Sequence, residues 1–509
     1  MRIGALPLTL TALLVTVAGC GLSVGGPATG SFRTPDSRNA PEAALQQFYD
    51  QQLQWRQCGD NQCAKLTVPM DYANPTAGTV QLAVLKVPST GNGRNGTLVV
   101  NPGGPGGSGV EYAQAADRVL TPDLLKAYDI VGFDPRGVGA SDPLKCLTGA
   151  QLDQFLATDG SPDTPAETAA IDSESRDLGA RCQAADATLA ANIGSTSVVK
   201  DMDILRAALD QPQLNYLGFS YGTYLGALYA DEFVGRVGRF VLDGAIDPAL
   251  SNTELSHGQA LAFEVALQRY LDDCTTQQSS CPLGSDPAVA KQRLLDLLAA
   301  IDAQPLPTSD PQRPLTQALA LSALIYPLYQ PSMGWPLLTR AITAALKGDG
   351  APMLEIVDTF NERSADGTYA NNGTDALYAV NCVDRPDRPD LQQTQQLAAT
   401  WGQEAPAFGA FLAYGNLPCS YWPLPATDTP AAVRAEAAPP ILVVGTQYDP
   451  ATPYPWAQAL ADELASGVLL TWQDGDGHTA YNNGSTCIDT TVDDFLVDGV
   501  VPPDGKVCR

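Results

Sequence analysis

One pentapeptide in one setting restricts this chain more than any other feature. Gly218-Phe219-Ser220-Tyr221-Gly222 follows directly on the apolar run Leu214 to Phe219 and leads directly into a helical pattern, Thr223 to Tyr229. A strand that becomes a helix within so few residues turns so tightly that side chains two places either side of the centre would collide, so glycine stands at both. The serine between them is held on a strained turn with its hydroxyl exposed. The following helix turns its unpaired N–H groups and positive dipole end toward the same point, where a developing anion would be stabilised.

The rest of the chain supplies the fold that such a turn needs. Short apolar runs recur at Val80 to Val87, Thr97 to Asn101, Tyr128 to Phe133, Arg239 to Leu242, Ile441 to Val444 and Val468 to Trp472, each bounded by turn residues. Runs of this kind suit a parallel sheet buried on both faces. Between them lie helical patterns, clearest where Val198, Met202, Leu205 and Leu209 form one apolar stripe. Strand and helix in alternation predict an α/β protein with a mostly parallel central sheet flanked by helices. From about Leu250 to Gly373 the alternation gives way to Ala- and Leu-rich helical patches joined by Pro-rich turns, which predicts a helical cap inserted at 250–373 between core segments 41–249 and 374–509. With 509 residues, 44% hydrophobic and 17% charged, the chain can bury a core of that size.

The first residues predict export. Arg2 is followed by an apolar run from Ile3 that ends in Val17-Ala18-Gly19-Cys20, so residues 1–19 read as a signal peptide. Small residues directly before a cysteine resemble a lipobox, in which Cys20 carries the lipid that holds the protein at a membrane. Residues 20–40 then read as a flexible tether. The remaining ten cysteines are an even number, suited to five disulfides in an oxidising compartment, with a spacing that suggests pairing between sequence neighbours but leaves the connectivity open. Zinc would need cysteine and histidine ligands close together, and neither of the two histidines lies near a Cys-x-x-Cys. A net charge of −27 argues against nucleic acid as a partner, because phosphate binding needs clustered Lys and Arg.

Those two histidines also narrow the chemistry, because a serine hydroxyl needs a base that titrates near neutrality. His478 sits in Asp474-Gly475-Asp476-Gly477-His478, read as a tight acidic turn after the last predicted strand, whereas His257 falls at a polar helix start inside the insertion. His478 is therefore the expected base. The two Asp beside it lack the ligand series and distant Glu of an EF-hand. A carboxylate between Ser220 and His478 at a strand end should orient the imidazole, and Asp449, in the loop after Ile441 to Gly445, fits. Asn101-Pro102-Gly103-Gly104-Pro105-Gly106-Gly107-Ser108-Gly109 follows an early strand, where a second oxyanion donor belongs. Pro105 has no N–H, so Gly104 is the expected donor, together with Tyr221. As a phosphate loop the segment lacks the Lys-Ser/Thr of a P-loop and the spacing of a dinucleotide fingerprint.

Taken in order, these motifs resemble the tripeptidyl-aminopeptidase-like branch of the α/β-hydrolases, related to proline iminopeptidases. The resemblance also rests on Gly132-Phe133-Asp134-Pro135-Arg136-Gly137-Val138-Gly139 with Ser141, Val241-Leu242-Asp243-Gly244, Ala379-Val380-Asn381-Cys382-Val383-Asp384 and Tyr448-Asp449-Pro450-Ala451-Thr452-Pro453. It implies the α/β-hydrolase fold, a Ser220-His478-Asp449 triad, no metal or organic cofactor, and an aminopeptidase that releases short peptides from free N-termini. Related lipoproteins also act as esterases, so acyl esters are the alternative substrate and a silent peptide-binding lipoprotein the third reading. An aminopeptidase needs an anionic group to hold the substrate's ammonium, and Glu111 and Asp384 are the candidates. Pro102 stands where proline iminopeptidases carry His, which puts proline preference in doubt.

Overall fold

The computed structural model describes residues 38–276 and 281–509. The expected signal peptide, Cys20 and all of the expected tether up to residue 37 lie outside the described residues. Arg38, inside the range read as tether, is paired with Asp210 at 2.6 Å.

The apolar runs form one sheet of ten strands. They are β1 (Arg56–Cys58), β2 (Asn61–Pro69), β3 (Thr79–Val87), β4 (Thr97–Asn101), β5 (Asp129–Phe133), β6 (Leu214–Phe219), β7 (Val237–Asp243), β8 (Ile441–Tyr448), β9 (Gly467–Asp476) and β10 (Lys506–Cys508). Their order is β1-β2-β3-β5-β4-β6-β7-β8-β9-β10. From β5 through β10 all neighbours are parallel, while β1, β2 and β3 pair antiparallel at one edge. The central strands are buried along their length, as a sheet covered on both faces requires: every residue of β4 is buried, and so are the last four of β6 and of β7. One apolar cluster includes Tyr216, Phe240 and Val443 with the helices Ser195–Ala208 and Tyr221–Glu232; a second, from the alternate strand positions, includes Leu217, Val241 and Leu442.

Between β7 and β8 the described residues are helical from Asn252–Thr276 to Leu417–Ser420. The helices Asn252–Thr276, Pro287–Ala303, Gln317–Leu328, Pro331–Ala345 and Ala351–Phe360 close a third apolar core around Leu267, Leu294, Leu324 and Ile342, and Phe408 joins it from further along the chain. The helix Gly373–Asp384 instead buries Ala379, Val380 and Val383 in the cluster against the sheet. Five disulfides join sequence neighbours: Cys58–Cys63, Cys146–Cys182, Cys274–Cys281, Cys382–Cys419 and Cys487–Cys508. Among the described residues no helix is long and apolar enough to cross a membrane.

Candidate active site

In a parallel sheet all carboxyl ends lie on one edge, and loops from that edge build the site. Here β4 leads into the glycine-rich loop, β6 into Ser220, β8 into Asp449 and β9 into His478. Ser220 has φ 54° and ψ −126°, a conformation that only an over-determined turn imposes on a side chain. A Cβ on Gly218 would lie 2.6 Å from the Gly222 carbonyl oxygen, and one on Gly222 would lie 2.8 Å from that of Asn101. The steric reason read from the spacing therefore holds, and the second glycine also makes room for β4. The Ser220 N–H donates to the Asp243 carbonyl at 3.0 Å.

His478 is fixed at both ends. Its backbone N–H donates to the Tyr329 carbonyl at 2.8 Å, and its ring meets the Tyr329 ring edge-on with centroids 5.2 Å apart. Nδ1 lies 2.9 and 3.0 Å from the two Asp449 oxygens. Asp449 is buried and also accepts the N–H groups of Ala451, Thr452 and Thr479 and the Thr452 hydroxyl. With Nδ1 committed, Nε2 is the nitrogen left for chemistry. A Cβ on Gly244 would come within 3.2 Å of His478 Cε1, and the preceding residue, Asp243, holds the Ser220 N–H. The histidine ring and the serine turn thus flank the same two residues.

The glycine loop packs against the turn: a Cβ on Gly103, whose φ is +89°, would lie 2.7 Å from the Tyr221 nitrogen. Asn101 Oδ1 takes the Gly103 N–H at 2.9 Å, and the Gly107 N–H donates to the Gly103 carbonyl at 3.0 Å. Gly104 is exposed, and among the described residues neither its N–H nor that of Tyr221 has a hydrogen-bond partner. Asp134 anchors the far end of this loop by accepting the Ser108 hydroxyl and the Val110 N–H, while Arg136 is buried in an ion pair with Asp201 at 2.6 Å.

Several expectations change. Asp384 has no exposed surface; its oxygens accept the N–H and hydroxyl of Ser195, whose hydroxyl in turn meets the Tyr221 hydroxyl. Burial pushes its carboxyl up to about 6. A carboxylate so enclosed does not reach a substrate's ammonium, and that role is withdrawn. Glu111 is exposed in the first turn of the helix Gly109–Gln114, next to the glycine loop. Its carboxyl is raised by partial burial, then by Glu362 from the helical insertion and by Asp134. The Asp474 to Asp476 segment is not a tight turn, because β9 continues through it. Asp476 pairs with Arg269 of the insertion, whose guanidinium also lies 3.7 Å from the Tyr448 ring centroid. Arg269 thereby touches the last residues of both β8 and β9, the strands that lead to Asp449 and His478. His257 lies elsewhere, 2.6 Å from Glu404 and stacked on Trp401.

Besides Tyr329 and Arg269, Thr452 and Asp243 stand at the site without an assigned role in the sequence. Thr452 completes the hydrogen bonding of Asp449. Asp243, fully buried, accepts the N–H groups of Ala480 and Tyr481, and burial pushes its carboxyl up to about 7. A charged residue closing an apolar strand at the sheet's functional edge was the signal available for it. The carboxylates of Asp159, Glu167 and Asp302 have oxygens within 4.8 Å of one another, but they belong to the helices Pro165–Ala191 and Pro287–Ala303 and the loop before them, not to the strand ends.

Residues 405–508 match a family described as TAP-like protein. The chain is 37% identical over 482 residues to serine protease Hip1 of Mycobacterium tuberculosis, covering 90% of this chain and 91% of that protein. It is 38% identical over 515 residues to carboxylesterase B of the same organism, covering 96% of each. Against tripeptidyl aminopeptidase of Streptomyces lividans it is 30% identical over 466 residues, covering 88% of this chain and 84% of that protein. Similarity that runs through both halves of the sheet and the insertion between them leaves one assignment: the chain belongs to the tripeptidyl-aminopeptidase-like branch of the α/β-hydrolases and is a hydrolase.

Proposed function

We propose that the protein is an exported serine hydrolase that cleaves short peptides from free N-termini, with Ser220 as nucleophile, His478 as base and Asp449 as the orienting carboxylate. The observation that carries this reading is the commitment of His478 Nδ1 to Asp449, which leaves Nε2 free beside the strained turn of Ser220. His478 Nε2 takes the hydroxyl proton as Ser220 Oγ attacks the carbonyl carbon. The oxyanion settles on the N–H groups of Gly104 and Tyr221. The C–N bond then breaks, the leaving amine takes the proton from His478, and the acyl group stays on Ser220. Water attacks that ester while His478 takes its proton, and the acid departs as Ser220 regains its hydrogen.

A peptide substrate is supported by the names of two relatives, a serine protease and a tripeptidyl aminopeptidase. Glu111, exposed beside the glycine loop, is the carboxylate proposed to meet the substrate's ammonium. The relative named carboxylesterase B favours a second reading, hydrolysis of acyl esters. The same acyl-enzyme serves both, and the leaving group decides between them. The five disulfides fit an oxidising compartment, and we propose that Cys20 carries the lipid that holds the enzyme there. The test is parallel turnover of aminoacyl-nitroanilides of one to three residues, free and N-blocked, and of short acyl esters. Cleavage of free peptides over blocked ones is expected; cleavage of esters alone, with both peptide sets inert, overturns the peptidase reading.

A further inference from the structure

We propose that Asp243 is the positioning residue that sets Ser220 and His478 against each other, an inference that rests on the triad reading above. Its two functional groups reach in two directions. The backbone carbonyl accepts the Ser220 N–H at 3.0 Å, at the point where the turn is most strained. The carboxylate accepts the Tyr481 N–H at 2.8 Å, and the Ala480 N–H lies 3.0 Å from each of its oxygens. Those two amides follow Thr479, itself at φ 68°, and thus fix the exit of the loop that begins at His478. The next residue, Gly244, donates its N–H to the Val444 carbonyl at 3.1 Å, which ties the same point to the strand that leads to Asp449. A Cβ on Gly244 would meet Thr479, Thr452 and His478 at 3.0 to 3.2 Å. The loops of nucleophile, acid and base therefore converge on two residues at the end of β7.

The residue type matters as well as the place. Asp243 is fully buried, and among the described residues no Lys or Arg forms an ion pair with it. A buried carboxylate without a cation is costly, and a leucine or valine there would fill the strand end at no such cost. What the carboxylate provides is a pair of acceptor oxygens for two successive amides, which an apolar side chain cannot supply. An asparagine oxygen at the Oδ2 position still reaches both amides, but the NH2 that replaces Oδ1 then faces the Ala480 N–H at 3.0 Å.

The test is Asp243→Asn, with kcat and KM measured separately on the best substrate and the rate of fluorophosphonate labelling of Ser220 measured alongside. Misplacing the base relative to the nucleophile is expected to lower kcat and the labelling rate together by about 10- to 100-fold. KM should move less than about twofold, because Asp243 touches no substrate. A folded variant with kcat and labelling within about twofold of wild type refutes the proposal while leaving the triad reading intact. If wild type itself fails to label, the triad reading falls first. If the variant does not fold, hydrogen exchange on the wild type decides: the amides of Ala480 and Tyr481 must exchange as slowly as those of β7, and exchange at the rate of exposed loops overturns the proposal.

Discussion

Replacing Asp449 by asparagine separates the orienting role proposed for this carboxylate from its size. Oδ1 accepts the N–H groups of Ala451 and Thr452 at 2.9 and 2.8 Å, which pins the remaining oxygen of an asparagine at that position. The new NH2 then replaces Oδ2, facing His478 Nδ1 and the Thr479 N–H. Oδ1 also lies 2.9 Å from Nδ1 but already accepts two backbone N–H groups, and an NH2 only donates, so the arrangement favours His478 with Nδ1 as acceptor and its proton on Nε2. That is the tautomer that cannot take a proton from Ser220. A wrong tautomer in otherwise intact geometry costs about 10⁴ in kcat, or about 5.4 kcal/mol of barrier. KM should barely move, because Asp449 is buried and touches no substrate. Stability should fall by about 1–3 kcal/mol for the Thr479 amide left without its acceptor. Steady-state kinetics on an activated acyl ester, with thermal unfolding to confirm the fold, reads all three quantities. A folded Asp449→Asn variant that retains more than about a tenth of wild-type kcat contradicts the assignment of this residue.

Gly103→Ala puts a methyl group 2.7 Å from the Tyr221 nitrogen at φ +89°; if the glycine loop holds the oxyanion as proposed, its displacement should lower kcat about 100-fold, and unchanged kcat in stopped assays would show that the loop is not used. Arg269→Ala removes a partly buried ion pair, so unfolding should shift by about 1 kcal/mol, while kcat/KM falls as the ends of β8 and β9 lose their shared contact; equal kinetics would count against that coupling. The burial-raised carboxyls of Asp375 and Asp384, each at about 6, bind protons more tightly folded than unfolded. Their contribution is complete below the unfolded value and is lost as pH rises through about 6, so the unfolding midpoint should drop between pH 4 and 6 and Asp384→Asn should flatten that drop. Removing the Cys146–Cys182 bridge, which spans 36 residues, should cost about 4 kcal/mol through the freed unfolded chain; a change in Tm too small for 1 kcal/mol would argue against it.

What could be read in the sequence was local or periodic. The strands around the site are continuous apolar runs, and β4 and β6 begin and end where those runs do. β2 escaped because its burial alternates, with Ala64, Leu66 and Val68 inward and Lys65 and Thr67 between them, as fits an antiparallel edge rather than a doubly covered strand. β1 and β10, three residues each, carry no periodicity to detect. At the site, Ser220, His478 and Asp449 follow from chain order and a scarcity of histidine, both one-dimensional facts. The surroundings do not. Tyr329, just after the helix Gln317–Leu328, reaches the base, and Arg269, in the helix Asn252–Thr276, reaches Asp476 and Tyr448 beside it; both belong to helical segments whose sequences show only an apolar face, and nothing in one dimension places them over β8 and β9. Asp384 misled for the converse reason: an acidic residue in a family motif reads as a surface group, yet here it closes the start of the helix Ser195–Ala208.

The central claim is that Ser220 is the nucleophile and His478 its base. Its most direct measurement is labelling of the disulfide-intact protein from Arg38 onward by a fluorophosphonate, with the modified residue located by mass spectrometry. Wild type should carry a single adduct on Ser220, Ser220→Ala none, and His478→Ala none on the same time scale. An adduct on another residue, or equal labelling of Ser220→Ala and wild type, contradicts the account.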